Sequence, residues 1–189
     1  SLQEAASVLE KKLNFRFLSF RYYKNIHAET GKNLTDDEVK LLDQHMYFQI
    51  YIDPIMPHAA DKKKLGFVPI DEPLLENVFS DKKFRIHVKE FGRRLLIPSP
   101  EVLLATKINS VVQRDKDHKR FKDICDIIAL CLFSKMPIGE VIKSGIKLAS
   151  KDKLEKFNNT DFTGDIRNCS NAIGLELNVI RSVIERIKG

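Results

Sequence analysis

The segment Pro98-Ser99-Pro100 constrains this chain most. Each proline lacks a backbone donor and restricts the residue before it, so the pair sits neither within a central strand nor within a helix interior. It closes one element and opens another. Before it, Phe84, Ile86 and Val88 are apolar at every second position, Glu90-Phe91-Gly92 makes a turn, and Arg93–Ile97 resumes; this predicts a hairpin. After it, Ser99 can cap, Pro100 fits a first helical turn and Glu101 suits the positive end of a helix dipole. Leu104, Ile108 and Val111 then make one helical stripe, predicting a helix to about Arg114. The chain divides accordingly into residues 1–98, mixed in pattern, and residues 99–189, almost wholly helical.

The same periodicities organise the rest. Leu2, Ala5, Ala6, Leu9 and Leu13 predict a helix, and the aromatic-rich run Phe15–Tyr23 predicts a strand. His27–Asp37 reads as a polar loop. Tyr47–Asp53 alternates, with Phe48, Ile50 and Ile52 on one face and Tyr47, Gln49, Tyr51 and Asp53 on the other, until Pro54 and Pro57 stop it. Asp61–Lys64 is a charged loop and Glu72–Val78 a short helix. Beyond the charged turn Asp115–Lys119, a helix over Phe121–Phe133 turns Ile124, Ile127, Ile128 and Cys131 inward. Another helix runs from Pro137 to about Ala149. A polar stretch, Asn158–Gly164, precedes a last helix with the apolar stripe Leu177, Ile180, Val183, Ile184 and Ile187.

Composition narrows the class. The 189 residues suffice for one domain or two small ones, and 43% hydrophobic with 31% charged is a globular balance. No apolar run approaches the ~18 residues of a membrane span, and Ser1–Lys12 lacks the pattern of a signal peptide. A start at Ser1 rather than Met leads us to expect a processed product or sequence upstream. Three cysteines, Cys125, Cys131 and Cys169, show neither CxxC nor Cys/His ligand spacing, which predicts buried, reduced thiols in a cytoplasmic protein rather than a zinc site. The net charge of +6 suits an anionic partner such as a nucleotide or nucleic acid, and equally serves solubility.

Two constellations can carry chemistry. Asp53 ends a strand on its polar face, where a carboxylate can hold a hard divalent cation or cap the turn before Pro54. Lys107 and Arg114 lie two helical turns apart on one face, and Asp123 and Asp126 share a face of the next helix. A short connection makes these helices an antiparallel pair. Two cations then meet two carboxylates, either as a triphosphate site oriented by the acids or as an interhelical ion-pair network. Lys82, Lys83, Arg85, Lys89, Arg93 and Arg94 make the hairpin basic, fit for a phosphate backbone or simply a solvated face. His58, His87 and His118 have no ligand spacing. Asn171–Ile187, with Gly174 at a turn and Arg181 beyond it, suggests a helix-turn-helix, although its second helix is apolar for a DNA groove.

The run Leu96-Ile97-Pro98-Ser99-Pro100-Glu101-Val102-Leu103-Leu104-Ala105-Thr106-Lys107, followed by Arg114 and by Phe121-Lys122-Asp123-Ile124-Cys125-Asp126-Ile127, resembles the AbiE-type toxins and related minimal nucleotidyltransferases. The resemblance covers roughly residues 1–135. It implies an α+β fold, a polymerase-β-like nucleotidyltransferase mixed sheet with a C-terminal helical domain. It also implies nucleotidyl transfer from an NTP to RNA, a protein or a small molecule with Mg²⁺ (or Mn²⁺). By the resemblance, Asp53 matches the third metal-binding carboxylate and Lys107 the phosphate-contacting lysine, supported by Arg114, Asp123 and Asp126. The family's Gly-Ser turn and D-x-D strand, which precede a helix like residues 1–13, have no match; Asp115-Lys116-Asp117 lies in a polar turn. The expectation is therefore a missing N-terminal part, with no catalysis by this chain on its own. The alternative is a catalytically degenerate relative serving as a toxin–antitoxin component, with an antitoxin-like partner, or as a nucleic-acid- or protein-binding module.

Overall fold

A computed structural model describes residues 2–56, 70–90 and 93–189. Pro57, His58, the charged loop Asp61–Lys64, the turn at Phe91-Gly92 and the side chains of Arg93 and Arg94 lie outside the described residues. The fold is α+β, with small sheets and a helical C-terminal region. It separates into two compact units, one ending at Pro73 and one spanning Leu74–Gly189. The hairpin before Pro98 thus groups with the helices, although the sequence pattern changes only at Pro98-Ser99-Pro100. Two contacts account for this. Leu74 packs against the helical core, and the Ser99 N–H donates to the Phe84 carbonyl at 2.9 Å, tying the hairpin base to the helix start.

In the first unit, helix α1 (Leu2–Ser7) continues as a π-helical turn, Val8–Lys12. The predicted strand over Phe15–Tyr23 is instead a hairpin, with β1 (Arg16–Leu18) antiparallel to the start of β2 (Arg21–His27). The chain reverses at Ser19, whose φ is 60°. Strand β2 is central. Its second edge takes β4 (Tyr47–Ile52), in the register Tyr22↔Ile52 to His27↔Tyr47, and its first edge also takes β3 (Asn33–Leu34). The predicted polar loop therefore holds a strand, and it leads into helix α2 (Asp36–Lys40). A capping box starts that helix: Thr35 accepts from the Glu38 N–H, and the Glu38 carboxylate accepts from the Thr35 N–H at 2.8 Å. Strands β5 (Ile55–Met56) and β6 (Ile70–Asp71) pair in parallel.

One face of the four-stranded sheet buries Tyr22 beside Phe15, with Ala6, Leu9 and Ile52 packed around them. Phe48 and Ile50 share that face by register, yet they are 49% and 40% exposed, so the predicted apolar face is only partly covered. The opposite face is polar and tightly linked. Gln49 donates to Asn25 at 2.7 Å, Asn25 donates to Asp36 at 3.1 Å, and Tyr23 donates to Asp36 at 2.9 Å. Asn25 is buried, and these bonds satisfy it.

The second unit holds, among the described residues, helix α3 (Leu75–Ser80), the predicted hairpin of β7 (Arg85–Glu90) and β8 (Arg93–Pro98), and six further helices. These are α4 (Pro100–Val111), α5 (Asp117–Phe133), α6 (Ile138–Leu148), α7 (Lys151–Asn159), α8 (Thr163–Ile173) and α9 (Leu177–Lys188). Helix α5 starts within the expected charged turn, and α7 and α8 occupy much of the stretch expected to be polar. Helix α8 ends at Gly174 with φ 68°, a left-handed cap that glycine adopts without strain. The predicted stripes converge: Leu104, Ile108 and Val111 of α4, Ile124, Ile127, Ile128 and Cys131 of α5, and Ile180, Val183, Ile184 and Ile187 of α9 are all buried in one cluster. At ~1.5–3 kcal/mol per buried aliphatic side chain, this cluster dominates the unit's stability.

Candidate functional site

The antiparallel pair α4–α5 brings Lys107, Arg114, Asp123 and Asp126 together. Asp123 is the centre. Its Oδ1 accepts from Lys107 Nζ at 2.8 Å, and its Oδ2 accepts from Arg114 Nε at 2.7 Å and from Ser110 Oγ at 3.0 Å. Lys107 Nζ also pairs with Asp126 Oδ2 at 2.6 Å. Asp123 is 2% exposed, while the side chains of Lys107, Asp126 and Arg114 are 28%, 37% and 37% exposed. The arrangement is a consequence of spacing. Positions 107 and 110 share one face of α4, 123 and 126 lie one turn apart on α5, and Arg114 sits in the turn beyond α4, which ends at Val111 rather than at the expected Arg114.

The electrostatics agree from both sides. Burial disfavours charge on Asp123, but hydrogen bonds from Arg114 and Lys107 outweigh it and hold the carboxyl below the usual carboxylate value. Burial likewise disfavours charge on Lys107, but hydrogen bonds to Asp123 and Asp126 outweigh it and raise the ammonium above the ordinary lysine value. Two carboxylates meet two cations, so the cluster is formally neutral. Arg114 uses only Nε on Asp123; its terminal nitrogens make no hydrogen bond among the described residues.

A groove of ≈ 400 Å³ opens beside this cluster. Leu103, Ala129, Leu130 and Phe133 line it, together with Lys107 and Asp126. Phe133 is 68% exposed, which leaves an aromatic ring available to a ligand. An apolar lining with few polar groups, at this volume, is the usual character of a small-molecule site.

Asp53 lies in the other compact unit, just beyond β4. Its Oδ2 pairs with Arg21 at 2.9 Å, and the Arg21 guanidinium stacks on Phe20 and Tyr51 at 4.9 and 4.7 Å. Asp53 Oδ1 is buried without a hydrogen-bond partner, as is Arg21 Nε. An orphaned carboxylate oxygen is a suitable donor to a hard cation. It is a single donor, however, and no group of three or more His, Cys, Asp or Glu that could hold a metal occurs among the described residues. Asp53 is thus one donor of a divalent-metal site whose further donors are not among the described residues.

Ser110 and Arg21 are the participants that sequence reading missed. Ser110 was legible, because it follows Lys107 by three residues on one face of α4. Arg21 was not, because its partner lies 32 residues away across the sheet. Ser99 occupies the expected cap position but makes no capping bond, and its Oγ is buried and unpaired. The three cysteines are free. Among the described residues no helix is long and apolar enough to cross a membrane.

No family model, curated protein or solved structure matches this chain. The resemblance to nucleotidyltransferases rests on the sequence motif alone.

Proposed function

We propose that the helical unit binds the triphosphate of an NTP, as part of a nucleotidyltransferase-like protein of polymerase-β type whose activity is Mg²⁺- or Mn²⁺-dependent nucleotidyl transfer. The observation that carries this reading is the convergence of Lys107 and Arg114 on buried Asp123, directly beside the apolar groove lined by Leu103, Leu130 and Phe133. Asp123 positions both cations with both of its oxygens. The one remaining N–H of Lys107 and the terminal nitrogens of Arg114 supply charge-assisted donors for phosphate oxygens. The groove accepts the base, with Phe133 as a stacking surface. Asp53, in the first unit, is the metal-binding carboxylate that the resemblance assigns, and the acceptor is RNA, a protein or a small molecule.

A second reading has its own support. Both cations are already neutralised, Lys107 by two carboxylates and Arg114 by one. A cluster so balanced also serves as a structural buttress in a catalytically degenerate relative, whose role is to bind an antitoxin-like protein or nucleic acid.

Calorimetric titration of each Mg²⁺–NTP into the chain, beside Lys107→Ala and Asp53→Asn, separates the two. Saturable binding that Lys107→Ala abolishes, with the helical circular dichroism retained, supports the triphosphate site. Absence of binding by the parent chain overturns it and leaves the buttress.

A further inference from the structure

Helices α5 and α8 carry a pair of sulfurs that the nucleotide reading does not use. Cys125 Sγ and Cys169 Sγ lie 3.2 Å apart. One turn earlier on both helices, Arg120 Nε donates to the buried carboxylate of Asp165 at 3.0 Å. The two contacts advance in the same direction along both helices, so the ion pair sets the register that holds the sulfurs opposed. A disulfide is ~2.0 Å long, so the sulfurs need to approach by only about 1.2 Å. Cys125 is half-buried and Cys169 fully buried. An oxidant therefore reaches Cys125 first.

We infer that Cys125 and Cys169 are an oxidation site at which a hydroperoxide forms an intramolecular disulfide clamping α5 to α8. The inference is independent of the nucleotidyltransferase reading. The Cys125 thiolate attacks the peroxide, the O–O bond breaks, and the leaving oxygen departs as water or an alcohol. Cys125 is then a sulfenic acid. The Cys169 sulfur attacks it, the S–O bond breaks, and the hydroxyl leaves as water with the Cys169 proton. Two electrons pass from the sulfurs to the peroxide. Cys169 does not initiate: burial first, and contact with Cys125 second, push its thiol up to about 12, and its place opposite Cys125 makes it the resolving sulfur. Cys131, on the same helix α5, is an internal control. It is buried, its thiol is pushed up to about 11 by burial, and no sulfur faces it among the described residues.

The test is to treat the folded full chain with hydrogen peroxide, quench it, and combine thiol counting, intact mass and non-reducing peptide mapping. Free thiols should fall from three to one, the mass should fall by two hydrogen atoms, and the map should join the Cys125 and Cys169 peptides. The cross-linked chain should melt at a higher temperature than the reduced chain. Cys169→Ser should instead accumulate a dimedone-reactive sulfenic acid at Cys125, and Cys131→Ser should cross-link as the parent does. Persistence of all three thiols, a lasting Cys125 sulfenic acid in the parent chain, a cross-link that includes Cys131, or only intermolecular dimers would each overturn the inference.

Discussion

Asp123 carries more of the candidate site than either cation. It is buried, and it holds Lys107, Arg114 and Ser110 at once. Removing its charge strands Arg114 and leaves Lys107 with Asp126 alone, and stranding a charge costs about 3–5 kcal/mol when that charge is fully buried. Lys107 and Arg114 are partly exposed, so water screens the loss and Asp123→Asn should destabilise the unit by about 2 kcal/mol. Urea unfolding measures this directly. The pH dependence has a definite sign. The folded carboxyl lies below its ordinary value of 3.8, so its contribution is present above that value and lost as pH falls through the lowered folded one. Parent and Asp123→Asn curves should therefore converge under acid conditions, and a constant gap down to the lowest pH would show that the ion pairs are not its source. Lys107 behaves in the opposite sense. Its raised value makes its contribution present below 10.5 and lost as pH rises through the folded value.

At the scale of elements, the closest approach of α4 and α6 depends on a glycine. A Cβ at Gly145 would lie 2.7 Å from Leu104 Cδ2 and 3.0 Å from Leu104 Cγ. Leu104 is fully buried and has no room to yield. In an exposed helix, Gly→Ala is worth about 1 kcal/mol in favour of alanine. Here overpacking, at about 1–3 kcal/mol, outweighs that gain. Gly145→Ala should lower the melting temperature, and Gly164→Ala, on α8 with open space around it, should leave it unchanged or raise it. Equal effects at the two sites would mean that α4 and α6 do not pack as described. Elements also show how local and distant signals differ. The Thr35–Glu38 capping box and the α5 stripe are sequence-local patterns. The reversal at Ser19 sits inside an aromatic run that reads as one strand, because the residues on both sides have the same β preference.

For the whole molecule, stability is divided unevenly between the two units. The cluster built from α4, α5, α6, α8 and α9 lies wholly within Leu74–Gly189. The first unit gathers Phe15 and Tyr22, with Ala6, Leu9 and Ile52 around them, among the described residues. Residues 74–189 expressed alone should keep their helical circular dichroism and a cooperative melt. Residues 1–73 alone should lack a cooperative transition, since so small a core does not offset the entropy of ordering the chain. A cooperative melt of 1–73 with no transition in 74–189 would reverse this assignment.

The helical stripes were legible along the chain, because residues three, four and seven apart share a helix face whatever surrounds them, and the hairpin before Pro98 was legible from its period of two. So was the alternation of Tyr47–Ile52. Which strand face is covered was not: Phe48 and Ile50 have the apolar pattern of a core and remain half exposed, since coverage depends on elements packed from elsewhere in the chain. The meeting of Lys107 and Arg114 with Asp123 follows from two helices and a short connection, but the pairing of Arg21 with Asp53 and the opposition of Cys125 to Cys169 join residues 32 and 44 positions apart. Periodicity carries no information across such separations. Helix packing and strand register decide them, and those are settled only when the whole chain has folded.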